Sequence, residues 1–300
     1  MSAGSYPVSG SLNEAVMRAF GEGVSVRRST VVAGGDINRA CTLELSDGRS
    51  VFMKRNDRRN LGFFQAEAVG LSALRSTGAV RTPEVLAVGT DGGDAFLLLE
   101  RIEAGPRSRT SSAELGLALA GMHLADTGRF VKDGGFGFPE DNYIGAGVQI
   151  NTPRETWVEF FLRCRLQPQF ERALPFFGRE ERKQIDRFLD RADRFLAEPE
   201  RPSLLHGDLW AGNYMIDRAG HPWLIDPAVY VGHAEADLAM TELFGGFDRA
   251  FYDAYRSAAG IDPEYKDRRD LYNLYHLLNH LNLFGAGYLS AVRAVLDRFA

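Results

Sequence analysis

Residues 204–217 read LLHGDLWAGNYMID, and WLIDPA follows at 223–228. Together they place His206, Asp208 and Asn213 in an H-x-D-x-x-x-x-N loop, with a further aspartate, Asp226, at the end of the next apolar strand. Phosphoryl transfer from a nucleoside triphosphate requires a carboxylate beside the acceptor hydroxyl. It also requires a carboxylate and an amide oxygen to hold a divalent cation. A catalytic-loop Asp, an Asn five residues later and a downstream Asp meet that need in protein kinases. Asp208, Asn213 and Asp226 have this order, which points to a kinase-type site with Asp208 as base and Asn213 and Asp226 on Mg²⁺. His206 is expected to be structural, bonding a backbone carbonyl near Asp226.

Upstream residues complete the pattern. Lys54 closes the apolar run Val51-Phe52-Met53, where a lysine that grips the α- and β-phosphates would stand, and Glu67 on the following helix is its expected partner. Gly34 and Gly35 lie between two strands and would let backbone amides approach phosphates. The backbone of Arg101, Ile102 and Glu103, after the last of these strands, is the expected adenine contact. A metal-hydrolase reading of His206, Asp208, His221, Asp226 and His233 finds no H-E-x-x-H or Cys/His ligand spacing to support it.

Working outward, the order of elements is that of an α+β, two-lobed, protein-kinase-like fold. Residues 11–22 read as a helix capped by Ser11, residues 24–32 and 39–45 as strands, and SDG at 46–48 as a turn into a third strand ending at Lys54. Apolar spacing of three and four predicts a helix over 63–76, and EVLAVG and AFLLLE two more strands. A linker at 103–108 then separates a nucleotide-binding lobe (1–102) from a catalytic and acceptor-binding lobe (103–300). Helices are expected over 112–125, 153–172, 179–197, 267–283 and 287–299, with a glycine-rich loop over 133–147.

Composition excludes several classes. The net charge of −5 gives no support to a nucleic-acid or acidic-membrane partner. Two cysteines, Cys41 and Cys164, are too few for a disulfide scaffold and suggest a reducing compartment. The N-terminus has no signal-peptide pattern, and no apolar run approaches the roughly 18 residues of a membrane span. The expectation is a cytoplasmic protein; oligomeric state stays open.

The acceptor is expected to be small. After Asp226 the chain reads PAVYVGHAEADLAM, with no Asp-Phe-Gly, no Ala-Pro-Glu and no room for a long activation segment. Candidate acceptor contacts are Trp210, Asn142, Gln149, Asn279 and His280, among other polar residues of the 133–169 region and the late helix. Amides, imidazoles and aromatics suit a polyhydroxylated ligand better than a polycation.

HGDLWAGN, the run IDPAVYVGHAEADLAM, DNYIGAGVQINTPRETWVEFFLRCRLQPQ and LYHLLNHLNLFGAGYL resemble the fructosamine/ketosamine kinase family, as do GGDIN, VFMK and the Glu67 helix. The resemblance covers roughly residues 10–298 and implies an aminoglycoside-phosphotransferase-like fold. It further implies ATP-dependent phosphorylation of the 3-hydroxyl of free or protein-bound ketosamines, after which the adduct decays and frees the amine. It maps Asp208, Asn213, Asp226, Lys54, Glu67 and the 101–103 connection onto the roles given above. Some relatives carry a cysteine in the phosphate loop; this sequence has Asp36 there, so a redox switch is not carried over. The alternatives are a kinase for another hydroxylated metabolite or antibiotic on the same fold, and a catalytically silent nucleotide-binding module.

Overall fold

In a computed structural model of the chain, residues 6–32 and 38–299 are described. A six-stranded sheet in the order β1-β5-β6-β4-β3-β2 forms the first part. Its elements are β1 (Val8–Ser9), α1 (Leu12–Phe20), β2 (Val26–Val32), β3 (Arg39–Leu45), β4 (Ser50–Asp57), α2 (Leu61–Arg75), β5 (Val85–Asp91) and β6 (Asp94–Glu100). All pairings are antiparallel except β1 with β5. Alternation on β3 sends Cys41, Leu43 and Leu45 inward against α1, whose N-terminus Ser11 caps by accepting from the Glu14 N–H at 3.1 Å. On the other face Phe64, Ala68 and Leu71 of α2 pack on Val88, Leu97 and Leu99.

The second part is mainly helical: α3 (Arg109–His123), the hairpin β7 (Asn142–Ile144) and β8 (Gly147–Gln149), α4 (Trp157–Phe160), α5 (Gln167–Ala173) and α6 (Arg179–Leu189). Four short strands follow, β9 (Ser203–Leu205), β10 (Tyr214–Ile216), β11 (Pro222–Leu224) and β12 (Tyr230–Gly232). The chain ends in α7 (Ala234–Leu243), α8 (Arg249–Ala259), α9 (Tyr265–Phe284) and α10 (Leu289–Phe299). One large core, with Trp157, Phe160, Tyr230 and Tyr272 at its centre, unites these elements. Among the described residues no helix is long and apolar enough to cross a membrane.

Several boundaries differ from the sequence expectation. Strand β4 runs past Lys54 to Asp57, because Arg55, Asn56 and Asp57 pair with Phe96, Ala95 and Asp94; Lys54 is therefore interior to the strand. The two-residue β1 has too little pattern to be seen in sequence. Helix α3 begins at Arg109, where Ser108 and Ser111 satisfy each other's backbone N–H groups. The expected helix over 153–172 starts at Trp157, capped by Thr156 and by the Glu198 carboxylate, which accepts from the Trp157 and Val158 N–H groups at 2.8 and 3.0 Å. It then passes through a π-helical turn over 161–166 before α5. The helix expected over 179–197 ends at Leu189 and is followed by a short 3₁₀ turn. The 133–147 loop is not wholly irregular, since it folds back as the β7–β8 hairpin.

Candidate active site

The HGDLWAGN segment leaves β9 and returns along β10, and its shape is imposed by its neighbours. Strand β9 pairs with β12, setting Leu205 opposite Tyr230, and the Ala228 N–H donates to the His206 carbonyl at 2.9 Å. Gly207 has φ +81°, and a Cβ there would lie 2.0 Å from the Ala228 carbonyl oxygen, so only glycine fits. His206 is fully buried. Its Nε2–H donates to the Ile225 carbonyl at 2.9 Å, and Nδ1 accepts from the Asp208 N–H at 3.3 Å. Burial lowers its pKa, keeping the ring neutral.

Asp237, in the first turn of α7, braces this loop. Its Oδ2 accepts from the His206 N–H at 2.7 Å and its Oδ1 from the Gly207 N–H at 2.9 Å. His123 Nε2 lies 3.2 Å from Oδ2, and His123 Nδ1 2.8 Å from the Tyr255 hydroxyl. Despite burial, these donors and the two nearby imidazoles hold the Asp237 carboxyl below its usual range. Sequence reasoning missed Asp237, His123 and Tyr255. The available signal was an acid set among the apolar residues of AEADLAM.

Asp208 and Asn213 are joined directly. Asn213 Nδ2 donates to the Asp208 main-chain oxygen at 2.8 Å and to its Oδ2 at 3.1 Å. That commits the amide nitrogen to Asp208 and leaves Asn213 Oδ1 for another ligand. Burial, aided by the charges of Asp226 and Asp237, pushes the Asp208 carboxyl up to about 7 against the opposing hydrogen bond from Asn213. A carboxylate with such a pKa is poised to take a proton near neutrality.

Asp226 follows β11 in a left-handed conformation, φ 54°. The Ile225 N–H donates to the Asn213 carbonyl at 3.0 Å, and with the Ala228–His206 bond this clamps the residue on both sides. A non-glycine residue at positive φ, held by its surroundings, marks a site where orientation matters more than local ease. Its carboxylate faces outward and pairs with Lys54 Nζ, which also meets Glu67 Oε1 at 2.6 Å. Lys54 is 8% exposed. Its burial, which alone would lower the ammonium pKa, is outweighed by the two carboxylates, so the lysine stays charged. Burial pushes Glu67 up to about 7, helped by the negative charge of Asp226. Asp226 moves the other way: desolvation is outweighed by the Lys54 ammonium, and its carboxyl is held below the usual range. Two aspartates with displaced pKa values thus lie on either side of Asn213, Asp208 high and Asp226 low.

The donor set fits a hard divalent ion that keeps phosphate and water ligands: one carboxylate oxygen on Asp226 and one amide oxygen on Asn213. Among the described residues no group of three His, Cys, Asp or Glu side chains could hold a metal alone.

Gly34 and Gly35 lie outside the described residues. The 101–103 connection joins β6 to the helical part. The Arg218 N–H donates to the Glu103 carbonyl at 3.1 Å, Arg218 Nη1 meets Glu103 Oε2 at 2.8 Å, and Arg101 Nη1 meets Glu103 Oε1 at 3.2 Å. Gly105 allows the chain to pass Asp217, whose carbonyl oxygen would lie 2.2 Å from a Cβ. This anchors the connection against the β10–β11 turn.

On the acceptor side the expected contacts separate into two groups. Asn142 and Gln149 are buried and committed to the protein. Asn142 Nδ2 donates to the Val229 carbonyl at 2.7 Å; Gln149 Nε2 donates to Asn142 Oδ1 at 2.8 Å and to the Ala228 carbonyl at 2.9 Å; the Tyr275 hydroxyl donates to Gln149 Oε1 at 2.7 Å. They pin the β7–β8 hairpin to the segment after Asp226. The physical reason is simple: a two-strand hairpin too short to carry its own core is held by side-chain amides. Trp210 is 41% exposed, its ring over Gly212 in the catalytic loop. His280 lies between Phe244 and Tyr288, with ring centroids 4.9 and 5.0 Å away, and its Nδ1–H donates to the His276 carbonyl at 2.8 Å, which leaves Nε2 without a partner among the described residues. Asn279, one turn before Leu283 on α9, keeps one polar atom free. Trp210, Asn279 and His280 are thus open to a ligand, whereas Asn142 and Gln149 are not.

The chain's similarities agree with this geometry. A family model described as fructosamine kinase matches residues 9–300. A protein named as a ketoamine kinase in Synechocystis is 37% identical over 290 residues, covering 94% of each chain. A chloroplastic protein-ribulosamine 3-kinase of Arabidopsis thaliana is 39% identical over 282 residues, covering 93% of this chain and 84% of its own. A crystal structure from Haemophilus somnus, titled as a fructosamine-3-kinase, superposes with a TM-score of 0.86 at 25% identity, covering 96% of both chains.

Proposed function

The chain belongs to the fructosamine kinase family, and from that membership we propose that it transfers the γ-phosphoryl group of ATP to the 3-hydroxyl of ketosamines. The acceptors are ribulosamine- or fructosamine-type adducts of amines, and phosphorylation leads to loss of the sugar and release of the amine. The observation that carries the reading is the convergence of Asp208, bonded to Asn213, with the Lys54–Glu67–Asp226 cluster.

The residues divide the work. Asp208 Oδ accepts the proton of the attacking hydroxyl as the O3–P bond forms and ADP leaves, a role worth about 10²–10⁴-fold in rate. Lys54 Nζ turns from Asp226 to the α- and β-phosphates, and Glu67 keeps it aimed. Asn213 Oδ1 and Asp226 would hold Mg²⁺, which when bound neutralises charge on the phosphates. Gly34 and Gly35 would line the phosphates, and the backbone of Arg101, Ile102 and Glu103 would meet the adenine. Trp210, Asn279 and His280 would face the acceptor, while Asn142 and Gln149 act by positioning the hairpin. In this reading the lobe boundary lies between residues 102 and 103, and nucleotide and acceptor would bind between residues 1–102 and 103–300. The two buried free cysteines suit a reducing, cytoplasmic setting.

The test is incubation with Mg·ATP and ribulosyl- and fructosyl-lysine, followed by mass spectrometry. An ATP-dependent gain of about 80 Da, the mass of one transferred phosphoryl unit, that decays to free lysine is the expected result. Bound ATP with no adduct on either sugar would contradict the acceptor class.

A further inference from the structure

An open groove lies beside the hairpin, between β8, α5 and α9, with a volume of about 350 Å³. Its polar groups have an order set by one backbone carbonyl. Asn282 Nδ2 donates to the main-chain oxygen of Gln169 at 3.0 Å; that oxygen can only accept, so the Asn282 amide has one possible orientation. The same nitrogen reaches Gln169 Oε1 at 2.7 Å, which leaves Gln169 Nε2 to donate to Asn279 Oδ1 at 3.3 Å. Asn279 is 4% exposed and lines the groove, and its Nδ2 has no acceptor among the described residues.

Arg172 supplies the second donor. Its Nη2 donates to the Val148 carbonyl at 2.9 Å, and among the described residues no carboxylate pairs with it. A point one bond from the Gly147 Cα lies 3.5 Å from Arg172 Nη1, 3.4 Å from Asn279 Oδ1 and 3.5 Å from the Ile144 carbonyl oxygen, so the Arg172 and Asn279 side chains approach each other where glycine leaves room. Val148, Phe176 and Leu283 add apolar wall, and no acidic residue lines the space. An unpaired guanidinium, a free amide N–H and apolar sides describe a receptor for a carboxylate on an aliphatic stem.

We propose that this groove binds the carboxylate of the amino-acid half of a small ketosamine, so that free glycated amino acids are preferred acceptors. The proposal rests on the kinase reading above. It is consistent with the location: Gln149 at the end of β8 is bonded to the Ala228 carbonyl, two residues beyond Asp226, and to Tyr275, one turn before Asn279. The sugar would lie at Asp208 and the amino-acid stem would run along the hairpin.

The experiment compares two acceptors, ribulosyl-lysine with its free carboxylate and the corresponding lysinamide adduct, in the wild-type protein, Arg172→Gln and Arg172→Lys. Glutamine can keep the bond to the Val148 carbonyl without the charge. Expected is a wild-type KM about tenfold lower for the carboxylate form. In Arg172→Gln that advantage is lost, with kcat and the KM for ATP unchanged and the lysinamide adduct unaffected, and Arg172→Lys recovers part of it. Equal wild-type KM values, or an equal rise for both acceptors in Arg172→Gln, would overturn the carboxylate site while leaving ketosamine phosphorylation intact. No turnover of either acceptor by the wild-type protein would overturn the ketosamine acceptor reading and the proposal with it.

Discussion

The two walls beside the HGDLWAGN loop are built from different interactions. On one wall charge answers charge: Lys54 lies between Glu67 and Asp226, brought together from positions 13 and 172 residues apart in the chain. On the other wall neutral amides answer backbone carbonyls, as Asn142 and Gln149 do at Val229 and Ala228. Buried charges must be paired and oriented, which restricts the residue types able to serve. Amide networks satisfy buried backbone just as completely, but many residue combinations can do so. The first wall is therefore the more restricted in residue type, and the second the freer to vary.

That contrast can be broken by substitution, beginning with the group between the two walls. Asp208→Asn keeps the bond from Asn213 but cannot take a proton, so turnover should fall by about 10²–10⁴-fold with ATP affinity unchanged; steady-state kinetics alongside nucleotide titration would check it, and near-wild-type turnover would remove Asp208 from the base role. Lys54→Met leaves Glu67 and Asp226 facing each other without a cation. ATP affinity should drop by about 10²-fold, and the denaturation midpoint should fall because the buried Glu67 loses its cation, as measured by fluorescent-nucleotide binding and thermal denaturation. Gln149→Ala should act on the other substrate. It strands Asn142 Oδ1, the Ala228 carbonyl and the Tyr275 hydroxyl, which should destabilise the fold by about 2–3 kcal/mol and raise the acceptor KM more than that for ATP. An unaltered denaturation midpoint would show that the hairpin is not held by this amide.

The same division explains what the sequence could and could not reveal. Lys54, Glu67, Asp208, Asn213 and Asp226 stand in the order that protein kinases use, and the fold was read from that order and from strand and helix periodicity. The structural role of His206 was legible too, because a histidine two residues before the base has a neighbouring carbonyl within reach. Asn142 and Gln149 were not legible as braces. An amide in a loop reads equally well as a ligand contact, and only the Val229 and Ala228 carbonyls decide between the two. Asp237 escaped for a related reason: its partners are the backbone N–H groups of residues 206 and 207, which have no sequence signature. Lys54 was set at a strand end because β4 loses its apolar character there, although backbone pairing with β6 carries it three residues further.

The split between the two aspartates is the most direct point of attack. Asp208, raised to about 7 by burial, must lose its proton to act as base, whereas Asp226 is held ionised by Lys54. With both substrates well below saturation, the pH profile of the rate reports the free enzyme. It should rise with unit slope to a limb near pH 7, and the remaining activity of Asp208→Asn should lack that limb. A wild-type profile flat down to pH 5, or a limb unchanged in Asp208→Asn, would contradict the assignment of proton transfer to Asp208.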